Sequence, residues 1–255
     1  MSTRRVAIVG AVIALATTAV GSTAQATRVE GPFGSGAAQV WIILPKGRTR
    51  SVVVFGHGWK LAPPVPPLVW INQFRPWLDH LASRGNAIVF PRYQFGANDS
   101  LGTPRVLAYR RGLITAFARL GRPHVPVVAA GYSYGASLAL YYAANARRWR
   151  LPVPAAVDSV FPAGLIPGTP LPLLAPTVRV LIQVGDQDTE AGAGGASSFW
   201  AWLRGHPATR KHYEVVASVP GLVATHKAPK QTGPAARHAF WQPLDTLIAA
   251  ARTGR

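Results

Sequence analysis

A three-layer α/β fold is predicted by three features of the chain. Short apolar runs alternate with longer segments of helical spacing. The runs are apolar at nearly every position, as in strands covered on both faces, and Gly and Pro punctuate the joins. In order, residues 39–44 and 51–55 read as strands with Pro45-Lys46-Gly47 as the turn between them. Residues 71–83 read as a helix stopped by Gly85, and 87–91 as the next buried strand. Val106, Tyr109, Leu113, Phe117 and Leu120 recur at helical spacing until Gly121 ends the segment. Residues 125–130 are a strand, and 136–146 a helix apolar on nearly every side and therefore buried. Three more strands are expected at 155–160, 178–184 and 212–219, with a helix near 199–203 between the last two. The final helix spans 235–251, with Phe240, Leu244, Leu247 and Ile248 on one face; Pro243 either delays its start or kinks it.

Such alternation implies crossover units and a mostly parallel central sheet flanked by helices. The Pro-rich stretches at 61–67 and 167–176 are loops, because strands continue on both sides of each. With no internal repeat and no second unit, the expected organisation is one domain over 38–255, without a separate cap domain, after a flexible Gly-rich lead-in at 27–37.

Composition narrows the chemistry. The 255 residues are 49% hydrophobic and 14% charged, which excludes fibrous and wholly disordered classes. No cysteine is present, so disulfides, thiolate zinc sites, iron–sulfur clusters and a cysteine nucleophile are excluded together. No HExxH or comparable ligand spacing occurs among the seven histidines, and neither a metal nor a cofactor is expected. The net charge is +18, carried by 22 Arg and 5 Lys against 9 acids. That balance suits association with an anionic envelope or membrane surface, screened by salt within about 8 Å. Specific nucleic-acid binding is not expected, since no basic stripe with interleaved aromatics is visible and Arg147-Arg148-Trp149-Arg150 is the densest cluster.

Residues 1–26 read as a secretory signal. Arg4 and Arg5 form a positive leader, residues 6–21 carry no charge and are mostly apolar, and Ala24-Gln25-Ala26 supplies the small-x-small pattern of a cleavage site. The apolar stretch is 16 residues long, short of the roughly 20 that span a bilayer. Export with cleavage after Ala26 is the expectation.

The chemistry centres on Gly131-Tyr132-Ser133-Tyr134-Gly135, a GxSxG pattern that directly follows one apolar strand and opens the apolar helix. A serine in a tight strand-to-helix turn projects above the sheet. The flanking glycines let the backbones close up, and the helix N-terminus favours negative charge developing there.

With that context the chain resembles the α/β-hydrolase superfamily over about residues 38–252, nearest its small esterase and lipase, dienelactone-hydrolase and polyester-hydrolase branches. Val52-Val53-Val54-Phe55-Gly56-His57-Gly58-Trp59 looks like the family's third strand and HG loop. The resemblance implies an oxyanion hole made by the backbone N–H groups of Trp59 and Tyr134, with His57 structural. It also implies an acid and then a histidine after the nucleophile in chain order. The strand ending Val184-Gly185-Asp186-Gln187-Asp188 looks like the acid-bearing one, with Asp188 as the triad member and Asp186 a turn residue. Asp158 is the other position at which some family members carry the acid. His226, in the loop 221–226, is the expected base; His238 falls in a helical pattern, and His206 and His212 have no motif behind them.

What the resemblance implies is a secreted serine hydrolase that cleaves carboxylic esters through an acyl-enzyme on Ser133. Its substrate would be a small-molecule, lipid or polyester ester. The same triad also serves envelope acyltransferases, and a non-catalytic binding protein can stand on the same scaffold. Trp59, Trp70, Phe161 and Trp200 are the aromatics expected to line an apolar cleft.

Overall fold

A computed structural model describes residues 27–59, 68–95, 102–121 and 124–254 of the chain. The expected signal at 1–26 and the whole Pro-rich loop at 61–67 therefore lie outside the described residues.

One eight-stranded sheet forms the centre, in the order β1-β2-β4-β3-β5-β6-β7-β8. Its strands are β1 (Arg28–Phe33), β2 (Val40–Leu44), β3 (Ser51–Gly56), β4 (Asn86–Pro91), β5 (Val127–Tyr132), β6 (Ala156–Val160), β7 (Arg179–Gly185) and β8 (Lys211–Val216). β1 and β2 are antiparallel to their neighbours, and every pair from β4 and β3 through β7 and β8 is parallel. The interior strands β3, β4, β5 and β6 are buried at every residue, as a sheet covered on both faces requires.

Helices α1 (Leu68–Ser83), α2 (Thr103–Arg119), α3 (Tyr134–Trp149) and α4 (Gly192–Trp202) follow β3, β4, β5 and β7. Alternate strand residues feed two separate cores. One contains Val52, Val54 and Ala129 with the inner faces of α2, α3 and α4; the other contains Val53, Phe55 and Ala130 with α1 and the C-terminal helices. Among the described residues, both cores and the sheet lie after Thr27.

The structure departs from the expectations in four places. The lead-in holds β1, whose Arg-Val-Glu-Gly-Pro-Phe sequence has no apolar alternation; it is a strand because it pairs with β2. α4 begins at Gly192, well before 199, since Ala196 and Phe199 anchor a Gly-rich segment of low intrinsic helicity into the core. The last strand ends at Val216, and Val219 instead bridges Leu222 in the turn that leads to His226. The C-terminal helix is split into α5 (Pro234–Ala236), a π turn (Arg237–Trp241) and α6 (Gln242–Thr253). That split places Pro243 in the first turn of α6, where its missing N–H costs no helical hydrogen bond.

Candidate active site

Ser133 occupies the turn between β5 and α3, with φ 57° and ψ −123°. A non-glycine residue rarely takes that conformation, and here close packing on both sides over-determines it. A Cβ on Gly135 would lie 2.3 Å from the carbonyl carbon and oxygen of Gly56 and from the oxygen of His57, all backbone atoms that cannot yield. A Cβ on Gly131 would lie 2.3 Å from the Gly135 oxygen. The glycines of the motif are therefore required by contact distance, and the contact welds the Ser133 turn to the end of β3.

The two residues expected to complete the triad converge on this serine. His226 Nδ1 is 2.9 Å from Asp188 Oδ2, and His226 Nε2 is 2.9 Å from Ser133 Oγ. With a carboxylate facing Nδ1, that nitrogen carries the proton and donates it to Asp188, and Nε2 accepts from the serine hydroxyl. Asp188 Oδ1 accepts from the backbone N–H groups of Glu190 (2.9 Å) and Ala191 (3.1 Å), which fix the carboxylate plane. Both Asp188 and His226 are buried, and the imidazole edge lies against the rings of Tyr132 (5.0 Å) and Phe161 (6.1 Å).

The other two acids are elsewhere. Asp186 accepts from the Ser218 N–H (2.8 Å) and hydroxyl (2.6 Å), bonds that hold its carboxyl below the ordinary range. Ser218 Oγ in turn accepts from the Ala224 N–H at 3.0 Å. Asp186 thus ties down the loop that carries His226 and does not touch the imidazole. Asp158 is fully buried on β6, and neither of its carboxyl oxygens has a hydrogen-bond partner among the described residues. Of the remaining histidines, His206 Nε2 meets the Val178 carbonyl at 2.7 Å, and His238 Nδ1 meets Gln242 Oε1 at 2.7 Å on the surface. His212 is exposed on β8.

The residues expected to form the oxyanion hole flank the serine. Tyr134 is the first residue of α3, so its N–H is one of the helix's unsatisfied terminal donors. Gly58, immediately before Trp59, lies so close that a Cβ there would meet Ser133 Cβ at 3.4 Å and the Tyr132 ring at 2.7 Å. His57 serves the loop's geometry. Its Nδ1 is 2.7 Å from the Gly58 carbonyl and its Nε2 is 2.7 Å from the Arg92 carbonyl. Whichever ring nitrogen carries the proton donates it to the carbonyl it faces. The ring is stacked between Trp70 (4.2 Å) and Tyr93 (4.3 Å).

Sequence reasoning did not single out Tyr93 or Arg105. The Tyr93 hydroxyl donates to the His57 carbonyl at 2.7 Å. The buried Arg105 guanidinium lies over the rings of both Trp59 (5.3 Å) and Tyr134 (5.4 Å). These residues come from different crossovers, and no local pattern marks them. The expected aromatic cleft is also not what forms. Trp70 is buried on His57, Phe161 is buried against His226 and Phe240, and Trp200 packs on Tyr213 beside β8. Of the four, Trp59 alone is exposed, at 37%.

No family model matches this chain, and no curated protein matches its sequence. Solved structures do. The chain is similar to carboxyl esterase 2 of the fungus Tuber melanosporum, with TM-score 0.66 and 13% identity over 93% of this chain and 90% of that one. It is similar to esterase 2 of Thermogutta terrifontis, with TM-score 0.64 and 14% identity over 89% and 95% of the two chains. It is similar also to esterase B of Lactobacillus rhamnosis, with TM-score 0.61 and 14% identity over 90% and 87%. The chain has the α/β-hydrolase fold.

Proposed function

We propose that this protein is a serine hydrolase that cleaves carboxylic esters through an acyl-enzyme on Ser133. The observation that carries the reading is the continuous relay of 2.9 Å contacts from Ser133 Oγ through His226 to Asp188. His226 Nε2 takes the hydroxyl proton as Ser133 Oγ attacks the acyl carbonyl, and Asp188 stabilises the imidazolium so formed. The N–H groups of Trp59 and Tyr134 hold the oxyanion, a contribution of about 3–4 kcal/mol per donor in comparable sites. Collapse of the tetrahedral intermediate expels the alcohol, which takes its proton from His226. Water, activated by the same base, then releases the acid. The structural relatives named above are esterases, which supports this chemistry.

The test is covalent trapping together with turnover. A p-nitrophenyl alkylphosphonate should release one p-nitrophenolate per chain and leave the phosphonyl group on Ser133, located by peptide mass. A series of p-nitrophenyl esters from acetate to palmitate should be hydrolysed with a chain-length optimum that sizes the acyl site. Adduct formation on another residue, or inertness across the whole series, would overturn the proposal.

Export belongs to the same proposal and is supported by the leader pattern of residues 1–26. Cleavage after Ala26 would leave Thr27, whose hydroxyl donates to Asp79 at 2.6 Å, and would leave β1 whole. The intact mass of protein recovered from the medium should correspond to a chain beginning at Thr27. A mass that retains the leader would count against cleavage at this point.

A further inference from the structure

We infer that the outer face formed by α2 and α3 docks on an anionic lipid bilayer. The first observation is a segregation of charge. Residues 100–157 contain eight Arg and no Asp or Glu. They build α2, β5 and α3, and both helices lie on the same side of the sheet. The described carboxylates stand elsewhere: on β1, α1 and α6, within β6 and β8, and in the loop after β7. Ion pairs accompany them, with Arg75–Asp79 on α1 and Arg84 reaching Asp245 of α6. Eight of the 27 basic residues thus fall in a stretch that holds none of the nine acids.

The second observation is what stands among those arginines. Leu107 and Ile114, each 42% exposed, share the outward stripe of α2 with Arg110 and Arg111 at helical spacing. Arg147, Arg148 and Arg150 are exposed at the end of α3. Between the helices lies a groove of about 280 Å³ lined by Arg110, Arg148, Thr103, Thr169 and Trp149 among others. Two guanidiniums and two hydroxyls converge there with no carboxylate in the lining, and Arg110 Nε is shut from solvent with no hydrogen-bond partner among the described residues. Cationic groups interleaved with protruding aliphatic side chains suit a phosphate-bearing headgroup layer over acyl chains. A nucleic acid would instead ask for free aromatic faces to stack on, and Trp149 is already stacked on Tyr142 at 6.4 Å.

This inference is independent of the ester-hydrolase reading. The protein used is the chain that begins at Thr27, the product of the proposed cleavage, with a cooperative thermal melt as its check of folding, since the apolar leader would itself bind lipid. Cosedimentation with vesicles of phosphatidylcholine alone, or mixed with phosphatidylglycerol, reads the partition at low and at physiological salt. Binding should require the anionic lipid and weaken as salt rises. At about fivefold per arginine, the Arg110→Gln/Arg148→Gln double variant should lose roughly 25-fold in partition. Leu107→Ser/Ile114→Ser, which keeps every charge, should also bind more weakly, while Arg84→Gln in the turn after α1 should partition as the parent does. Unchanged thermal melting in each variant keeps folding out of the result. Equal binding to neutral vesicles, parent-like partition of the arginine double variant, or no effect of the Leu107 and Ile114 changes would each overturn the assignment. Release from vesicles by inorganic phosphate at the same phosphate concentration would reduce the face to a simple anion site and overturn it as well.

Discussion

Ester turnover should fall by about 10⁶-fold in Ser133→Ala and by about 10⁴-fold in Asp188→Asn, with KM nearly unchanged, while Asp186→Asn keeps kcat within a few-fold of the parent. The contrast follows from which carboxylate faces the imidazole. Asp188 Oδ2 accepts from His226 Nδ1 at 2.9 Å, and its other oxygen is held by two backbone N–H groups. Asparagine at 188 can keep those backbone bonds only by turning its amide N–H₂ toward Nδ1. The proton of His226 is then driven onto Nε2, the nitrogen that has to receive the serine proton. Geometry survives and basicity at the right atom does not. Asp186 has both oxygens engaged with Ser218, so its replacement loosens the loop between β8 and His226 without changing the tautomer. Steady-state kinetics on one short-chain ester suffice to separate the two. A loss in Asp186→Asn as deep as that in Asp188→Asn would sink the assignment. The Ser133→Ala/Asp188→Asn double variant should be no slower than Ser133→Ala, because the relay works as one unit.

Much of this arrangement is legible in the chain because it is set locally. An apolar strand, a Gly-x-Ser-x-Gly turn and an apolar helix specify their own geometry, and the clash distances at Gly131 and Gly135 are the physical content of that motif. The order Ser133, Asp188, His226 is readable as well, and the three side chains do meet. What escapes is whatever depends on partners remote in sequence. β1 has a polar, Gly- and Pro-containing sequence and exists through its antiparallel pairing with β2. The first turns of α4 are Gly-rich and become helical only because the helix is pinned at Ala196 and Phe199. The same reason hides the stack behind the loop after β3, where Trp70 from α1, His57 after β3 and Tyr93 after β4 meet face to face. The expected aromatic cleft fails for a related cause. Large rings gain more by burial than by exposure, and three of the four proposed lining residues are spent on packing instead.

Asp158 supplies the largest expected effect on stability, and it runs opposite to that of the paired acids. It lies in the buried interior strand β6, on the face shared with Ala156 and Val160, and neither carboxyl oxygen has a hydrogen-bond partner among the described residues. Burial, and then the charge of Glu214, push its pKa well above the ordinary carboxylate range. The folded protein therefore keeps this proton at pH values where the unfolded chain, with an Asp pKa of about 4, has lost it. Across that window the native state binds more protons than the unfolded state, so stability is fully present below the unfolded pKa and declines as pH rises through the window. Asparagine has the same shape and no proton to hold. Asp158→Asn should match the parent at acid pH and become progressively more stable toward neutrality, gaining about 1.4 kcal/mol for each pH unit of the window crossed. Thermal melts of the two proteins from pH 4 to pH 8 read the difference directly, since every other titrating group is common to both and cancels. A gap in melting temperature that stays constant with pH, or that favours the parent at neutral pH, would refute the buried neutral acid. Asp158 makes no hydrogen bond to His226 among the described residues, whereas Asp188, with Oδ1 held by the Glu190 and Ala191 N–H groups, meets His226 Nδ1 at 2.9 Å.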